Sequence, residues 1–167
     1  MSRRRPVIGI MGAGEPGGRS LADARRLGRL VAERGWIVLT GGRPAGVMAA
    51  ACAGAKEVPG SLTLGILPSA QGGVSADVDL AVFTGMGDAR NAVNVLTSDV
   101  VIACGVEGPG TASEVALGLK AEKPVVLLGA GAEAVAFYRR VAGAGRLLDV
   151  ETPEEAVRLA GELLGIS

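Results

Sequence analysis

Apolar positions along this chain fall into two patterns. Short continuous runs occupy Val7–Met11, Trp36–Thr40, Leu62–Leu67, Leu80–Phe83, Val100–Cys104 and Val125–Leu128. Their length and β-branched content predict strands, and the unbroken runs at Val100 and Val125 suit parallel strands covered on both faces. Arg146–Leu148 adds a short edge strand. Between these runs, apolar residues recur at steps of three and four, the helical period. Ser20–Arg34 sets Leu21, Ala24, Leu27, Leu30 and Val31 on one face, with Arg25, Arg26, Arg29 and Glu33 on a solvated face. Pro44–Gly54, Ala112–Ala121 and Glu133–Val141 are further helices. Asp88–Thr97 turns Ala89, Ala92, Val93 and Leu96 inward and leaves Arg90, Asn91 and Asn94 on another face. Pro153–Leu164 closes the chain with Ala156, Leu159, Ala160 and Leu163 in register. Strand–helix alternation of this kind predicts an α/β, three-layer Rossmann-like fold with a mostly parallel, doubly wound sheet, formed by residues 1–167 as one domain. Ligands on such sheets bind at the carboxyl ends of strands, near a switch in strand order.

Composition narrows the chemistry. Lys+Arg and Asp+Glu both number 17, so net charge is zero and neither nucleic acid nor a membrane surface is an expected partner. Trp36, Phe83, Phe137 and Tyr138 are the only aromatics, too few for a base-stacking platform. Histidine is absent, which removes Ser-His triads, histidine bases and most zinc sites; no metal site is expected. Cys52 and Cys104 sit in apolar segments and read as buried free thiols in a reducing compartment. Arg3-Arg4-Arg5 before the first strand reads as a solvated basic tail, not a signal peptide, because the apolar run is short and ends at Glu15. A cytoplasmic location is expected.

Three strand-to-helix turns are glycine-rich. Gly12-Ala13-Gly14-Glu15-Pro16-Gly17 matches G-x-G-x-x-G, the dinucleotide fingerprint. Pro16 and Gly18 push the expected helix start to Ser20, and the second strand ends in Thr40-Gly41-Gly42 where a ribose-binding acid would stand. The loop therefore reads as facing some phosphate, or as a tight turn only, ahead of dinucleotide binding. Thr40-Gly41-Gly42-Arg43-Pro44-Ala45-Gly46-Val47-Met48 either lines a site or packs its helix closely on the sheet. Gly108-Pro109-Gly110-Thr111 follows a buried strand and precedes a helix start, where free N–H groups suit phosphate. Thr111-x-x-Glu114 also has the spacing of a capping box, as does Thr152-x-x-Glu155, which has no glycine loop before it and reads as capping alone. Arg90, Asn91 and Asn94 form either an anion-binding face, with Arg90 holding a phosphate bidentately, or an exposed polar one.

Together these segments resemble a family of cytosolic Rossmann-like proteins. It contains the LOG-type nucleoside monophosphate phosphoribohydrolases and the molybdenum-cofactor carrier proteins, and many members carry the label "lysine decarboxylase-like". The resemblance rests on Gly12–Gly18, Gly41-Gly42 with Gly46-Val47-Met48, Ala89-Arg90-Asn91, and Gly108-Pro109-Gly110-Thr111-Ala112-Ser113-Glu114. The hydrolases carry P-G-G-x-G-T-x-x-E. Gly108, Gly110, Thr111 and Glu114 match it, while Val106 and Glu107 replace its proline and first glycine. Arg90-Asn91 and Asn94-Val95-Leu96-x-x-Asp99 are more similar to the carrier branch. A carboxylate at Glu107 would reshape the phosphate cradle and repel an anion. A decarboxylase using pyridoxal phosphate needs a Schiff-base lysine, and Lys56, Lys120 and Lys123 all lie away from the glycine loops.

The resemblance implies a ligand site built from Gly12, Ala13, Gly14, Gly41, Gly42, Gly46, Val47, Met48, Asn91, Gly108, Pro109, Gly110 and Thr111, with Glu114 and Arg90 as the catalytic pair if the chain is an enzyme. Three functions stand open. The first is a binding or carrier protein for a phosphorylated, nucleotide-like ligand, with a molybdopterin-type cofactor as cargo. The second is hydrolysis of nucleoside 5′-monophosphates to base and ribose 5-phosphate, with Glu114 stabilising the oxocarbenium-like state and no cofactor required. The third is a nucleotide-sensing module. A homo-oligomer, usually a dimer, is also implied, with the Arg90 helix near its interface. The stretch Pro68–Asp79 is the expected surface loop beside the site.

Overall fold

A computed structural model of the chain describes residues 4–143 and 146–166. Seven strands form one sheet in the order β4-β3-β2-β1-β5-β6-β7, every neighbouring pair parallel. They are β1 Val7–Met11, β2 Ile37–Thr40, β3 Leu62–Leu67, β4 Leu80–Phe83, β5 Val100–Cys104, β6 Val125–Leu128 and β7 Leu147–Val150. The helices are α1 Gly18–Glu33, α2 Gly46–Lys56, α3 Arg90–Thr97, α4 Pro109–Lys120, α5 Ala132–Ala142 and α6 Pro153–Leu164. The chain runs outward from β1 to β4, then returns to place β5 on the other side of β1. The crevice between the ends of β1 and β5 is thus the switch in strand order, the expected ligand position.

The central strands are buried on both faces, which explains their unbroken apolar runs. Ile8, Ile10, Val100 and Ile102 meet Leu27, Val31, Val47, Ala51 and Ala156, so α1, α2 and α6 cover one face. Val101, Ala103, Val125 and Leu127 meet Val95, Val115 and Tyr138, so α3, α4 and α5 cover the other. Both cysteines are free and buried; desolvation pushes the thiol of Cys52 up to about 11 and that of Cys104 to about 12.

Several sequence expectations are corrected. α1 begins at Gly18 with Gly17 as N-cap, not at Ser20, so the third fingerprint glycine does abut the helix. Gly46 has φ +54°, which a helix starting at Pro44 cannot pass through, so α2 starts at Gly46. A 3₁₀ turn, Gly87–Ala89, precedes α3. Pro109 takes the first position of α4, three residues earlier than expected. Arg4 and Arg5 are exposed, as expected of a solvated tail, but both are tied to the fold: Arg4 Nη1 donates to Asp99 Oδ2 at 2.8 Å and Arg5 Nε to the Gly35 carbonyl at 2.6 Å. Arg3 lies outside the described residues.

The largest correction concerns α3. Its buried side is Arg90, Asn94 and Val95, while Leu96 is 61% exposed and Ala89 lies outside. The polar side packs against α4, and the apolar Leu96 is left facing outward.

Candidate ligand site at the β1–β5 crevice

A cavity of about 240 Å³ opens at the carboxyl ends of β1, β2 and β5. The first glycine turn contributes Gly12, Ala13 and Gly14, the second Gly41 and Met48, and the third Gly108, Pro109, Gly110, Thr111 and Glu114. Arg90 and Asn91 enter from α3. Gly42, Gly46 and Val47 lie outside the cavity wall and shape the turns behind it. The Gly42 amide bonds Thr40 Oγ1 at 3.0 Å and its carbonyl accepts from the Ser75 amide at 2.9 Å. The Val47 amide bonds the Ala13 carbonyl at 3.1 Å, and its side chain is fully buried in the core. A Cβ on Gly46 would fall 2.2 Å from that same carbonyl, so only glycine lets the first two turns touch. Pro68–Asp79 does not line the cavity; through Ser75 it packs on Gly42 instead.

Arg90 reaches the cavity because Gly41 has no side chain. A Cβ there would meet Arg90 Nη1 at 2.6 Å and Met48 Sδ at 2.7 Å. The arginine is only 9% exposed, and its Nε has no hydrogen-bond partner. Its nearest carboxylate oxygen, Glu114 Oε1, is 3.9 Å from Nη1, an ion-pair distance without a hydrogen bond. Asn94 holds that oxygen instead, donating from Nδ2 at 2.8 Å. Burial raises the Glu114 carboxyl above its ordinary range, against the opposing effects of Asn94 and Arg90. Burial likewise lowers the Arg90 pKa; Glu114 opposes this, and the positive charge of Arg43 adds to it. Burial thus opposes the charge on both partners, and at 3.9 Å the pair has no hydrogen bond to offset that cost.

The Thr111 side chain settles the capping question. Gly108 is the N-cap of α4, which puts Thr111 inside the first turn. Its hydroxyl is buried and unpartnered, and Glu114 turns to Asn94 and Arg90 instead of back to the helix start. No side chain caps α4, so its first amides are available at the cavity. Thr152, by contrast, accepts the Glu155 amide at 3.3 Å and donates its hydroxyl to the Glu155 carboxylate at 3.0 Å, so it caps α6 as expected. Asn91 Nδ2 donates to Ser113 Oγ at 3.0 Å, adding a second tie between α3 and α4.

Arg43 and Asp88 also line the cavity, although neither was among the expected site residues. Arg43 was legible as a cation in a glycine turn at a strand end. Asp88 precedes Arg90 in a 3₁₀ turn, and periodicity offers no signal for that. Asn94 was placed on the right helix face but its bond to Glu114 depends on how α3 meets α4.

Fold and crevice define a doubly wound parallel α/β protein with an anion-suited cavity at its switch point. The chain belongs to the SLOG cluster4 family, whose model matches residues 5–157. An uncharacterized protein of Archaeoglobus fulgidus is 40% identical over 150 residues, covering 90% of this chain and 91% of that one. The molybdenum cofactor binding protein of Rippkaea orientalis is 46% identical, covers 98% of this chain and 99% of that one, and superposes with a TM-score of 0.93. The Moco carrier protein of Chlamydomonas reinhardtii is 45% identical with a TM-score of 0.90, over 97% of this chain and 99% of that one. These similarities agree with the resemblance carried by Arg90-Asn91 and the third glycine turn.

Proposed function

We propose that this chain binds and carries a phosphorylated pterin-type ligand, a molybdopterin-type cofactor, with the phosphate at the α4 N-terminus and Arg90. One observation carries the reading: a buried arginine and a buried threonine on the cavity wall both present polar atoms without partners. Buried polar groups are almost always satisfied, so these atoms point to a ligand that supplies the missing bonds. The oxygens of one phosphate group can accept from Arg90, from the Thr111 hydroxyl and from the amides at Gly110 and Thr111 between them. Asn94 and Glu114 stand beside it, where the carboxylate accepts from a ligand hydroxyl or ring N–H. The similarity to a molybdenum cofactor binding protein and to a Moco carrier protein supports the choice of cargo. The cavity is small beside most ligand sites, so it suits the phosphate end, with the heterocycle extending over the open rim near Arg43 and Asp88.

The carrier reading extends to a homo-oligomer. Leu80, Val82 and Phe83 of the edge strand β4, with Met86 and Leu96 of the neighbouring turn and helix, are 45–61% exposed, and a second copy would cover them. A second functional reading rests on Glu114, whose raised carboxyl beside a cavity suits general acid–base work in nucleoside 5′-monophosphate hydrolysis.

One experiment separates the two. The protein is purified from a host that makes the cofactor, its bound material is identified by fluorescence and mass spectrometry, and it is then incubated with nucleoside 5′-monophosphates. A co-purified pterin that is absent from Arg90→Ala, with no base release, supports the carrier. Base release abolished in Glu114→Ala would replace it with the hydrolase.

A further inference from the structure

Glu107 reaches past the cavity to the start of α1. Its Oε2 accepts the Gly17 amide at 3.1 Å and its Oε1 accepts the Ser20 hydroxyl at 3.3 Å. Gly17 is the N-cap of α1, and that helix has neither a side-chain cap of its own nor an acidic residue in its first turn. In doubly wound folds the helix start after β1 is where a pyrophosphate settles. Here a carboxylate from the β5–α4 turn holds that position. The same loop meets the cavity at Gly12–Gly14 and Glu107 at Gly17, so the two lie side by side.

We infer that Glu107 is a specificity-determining residue: its carboxylate is the resident anion of the first glycine loop and restricts the cavity to ligands bearing a single phosphate group. This deepens the phosphate-ester reading above and rests on it. A monophosphate at α4 and Arg90 leaves Glu107 undisturbed. A second phosphate attached to the first would run along the loop toward Gly17. There it would have to displace two hydrogen bonds or lie against a like charge. Specificity is then achieved by disfavouring the larger anion, not by binding the smaller one more tightly.

Calorimetric titration with adenosine 5′-monophosphate and adenosine 5′-diphosphate tests this on the wild-type chain, Glu107→Ala and Glu107→Gln. The glutamine variant keeps a hydrogen-bonding group between the loops, and thermal unfolding verifies that both variants fold. Wild type should bind the diphosphate no more tightly than the monophosphate. At least one variant should gain about tenfold for the diphosphate, the scale of one like charge removed near a protein surface, with the monophosphate changed less than about twofold. No selective gain in either variant, or an equal change for both nucleotides, overturns the inference. Arg90→Ala, titrated in parallel, reads the phosphate site separately. Should wild type bind no monophosphate, the phosphate site at Arg90 and α4 is what fails, and the inference resting on it falls with it, whereas monophosphate binding without a selective diphosphate gain overturns the inference alone.

Discussion

Asn94 donates its Nδ2 hydrogen to Glu114 Oε1 at 2.8 Å, and this bond, not the longer Arg90 contact, is what holds the buried carboxylate. It leaves Arg90 oriented by α3 and Gly41 but without a direct hydrogen bond to an anion.

That arrangement has a pH signature. Because burial raises the Glu114 pKa, the folded chain binds this proton more tightly than the unfolded chain does. The stability it contributes is full below the ordinary value of 4.5 and is lost as pH rises through the raised one. The difference in Tm between wild type and Glu114→Gln should therefore be most favourable to wild type below 4.5, fall as pH rises, and then level off. Thermal scans across a pH series check this, and a difference constant with pH would show that Glu114 titrates normally.

Thr111→Val should separate stability from binding. Removing a buried hydroxyl that has no partner should leave stability unchanged or raise it by about 1 kcal/mol. Affinity for a phosphorylated ligand should fall by about tenfold, the effect of one lost hydrogen bond to a charged group. Chemical denaturation and calorimetric titration measure the two effects, and a joint loss of both would assign Thr111 a purely structural role.

Gly46→Ala should cost stability at a distance from the ligand. The added Cβ meets the Ala13 carbonyl and sits at φ +54°, so either the α2 start or the first glycine turn must move. A loss of about 1–3 kcal/mol is expected, read as a lower urea midpoint at unchanged slope. Ligand affinity should fall with it, since Ala13 and Gly14 line the cavity. Full affinity in a destabilised variant would show that the turn geometry does not matter for binding.

Charge placed on the exposed apolar residues of β4 and α3 should weaken self-association. Leu96→Glu and Phe83→Glu alter residues that are 61% and 51% exposed, so the protomer should keep its fold. Light scattering coupled to gel filtration should show a smaller species than wild type. An unchanged mass in both variants would place any oligomer interface elsewhere.

Much of the architecture was legible because an apolar run or a helical stripe marks a strand or helix plainly, even at the exposed edge strand β4. β1, β3, β4, β5, β6 and α6 lie at the residues their apolar patterns indicated. Local chemistry was legible too, as in the Thr152 cap of α6. The misreadings share one cause. Leu96 was assigned to the core because it fits a helical stripe, yet α3 turns its polar side inward to meet Glu114. Thr111 was read as a possible cap because its spacing allowed one, yet Pro109 starts the helix earlier and carries Thr111 inside it.

While the pairing of Arg90 with Glu114 came from the family resemblance, spacing and residue type thus sufficed for a parallel α/β sheet and three glycine turns at its carboxyl edge. These are consequences of local propensity and of which residues must leave water. Which polar atoms end without partners, which face of α3 is inside, and that Glu107 bonds α1 rather than the cavity follow from how separate elements meet. Those contacts join residues some 20 to 90 positions apart, and a period of two or of 3.6 carries no information about them.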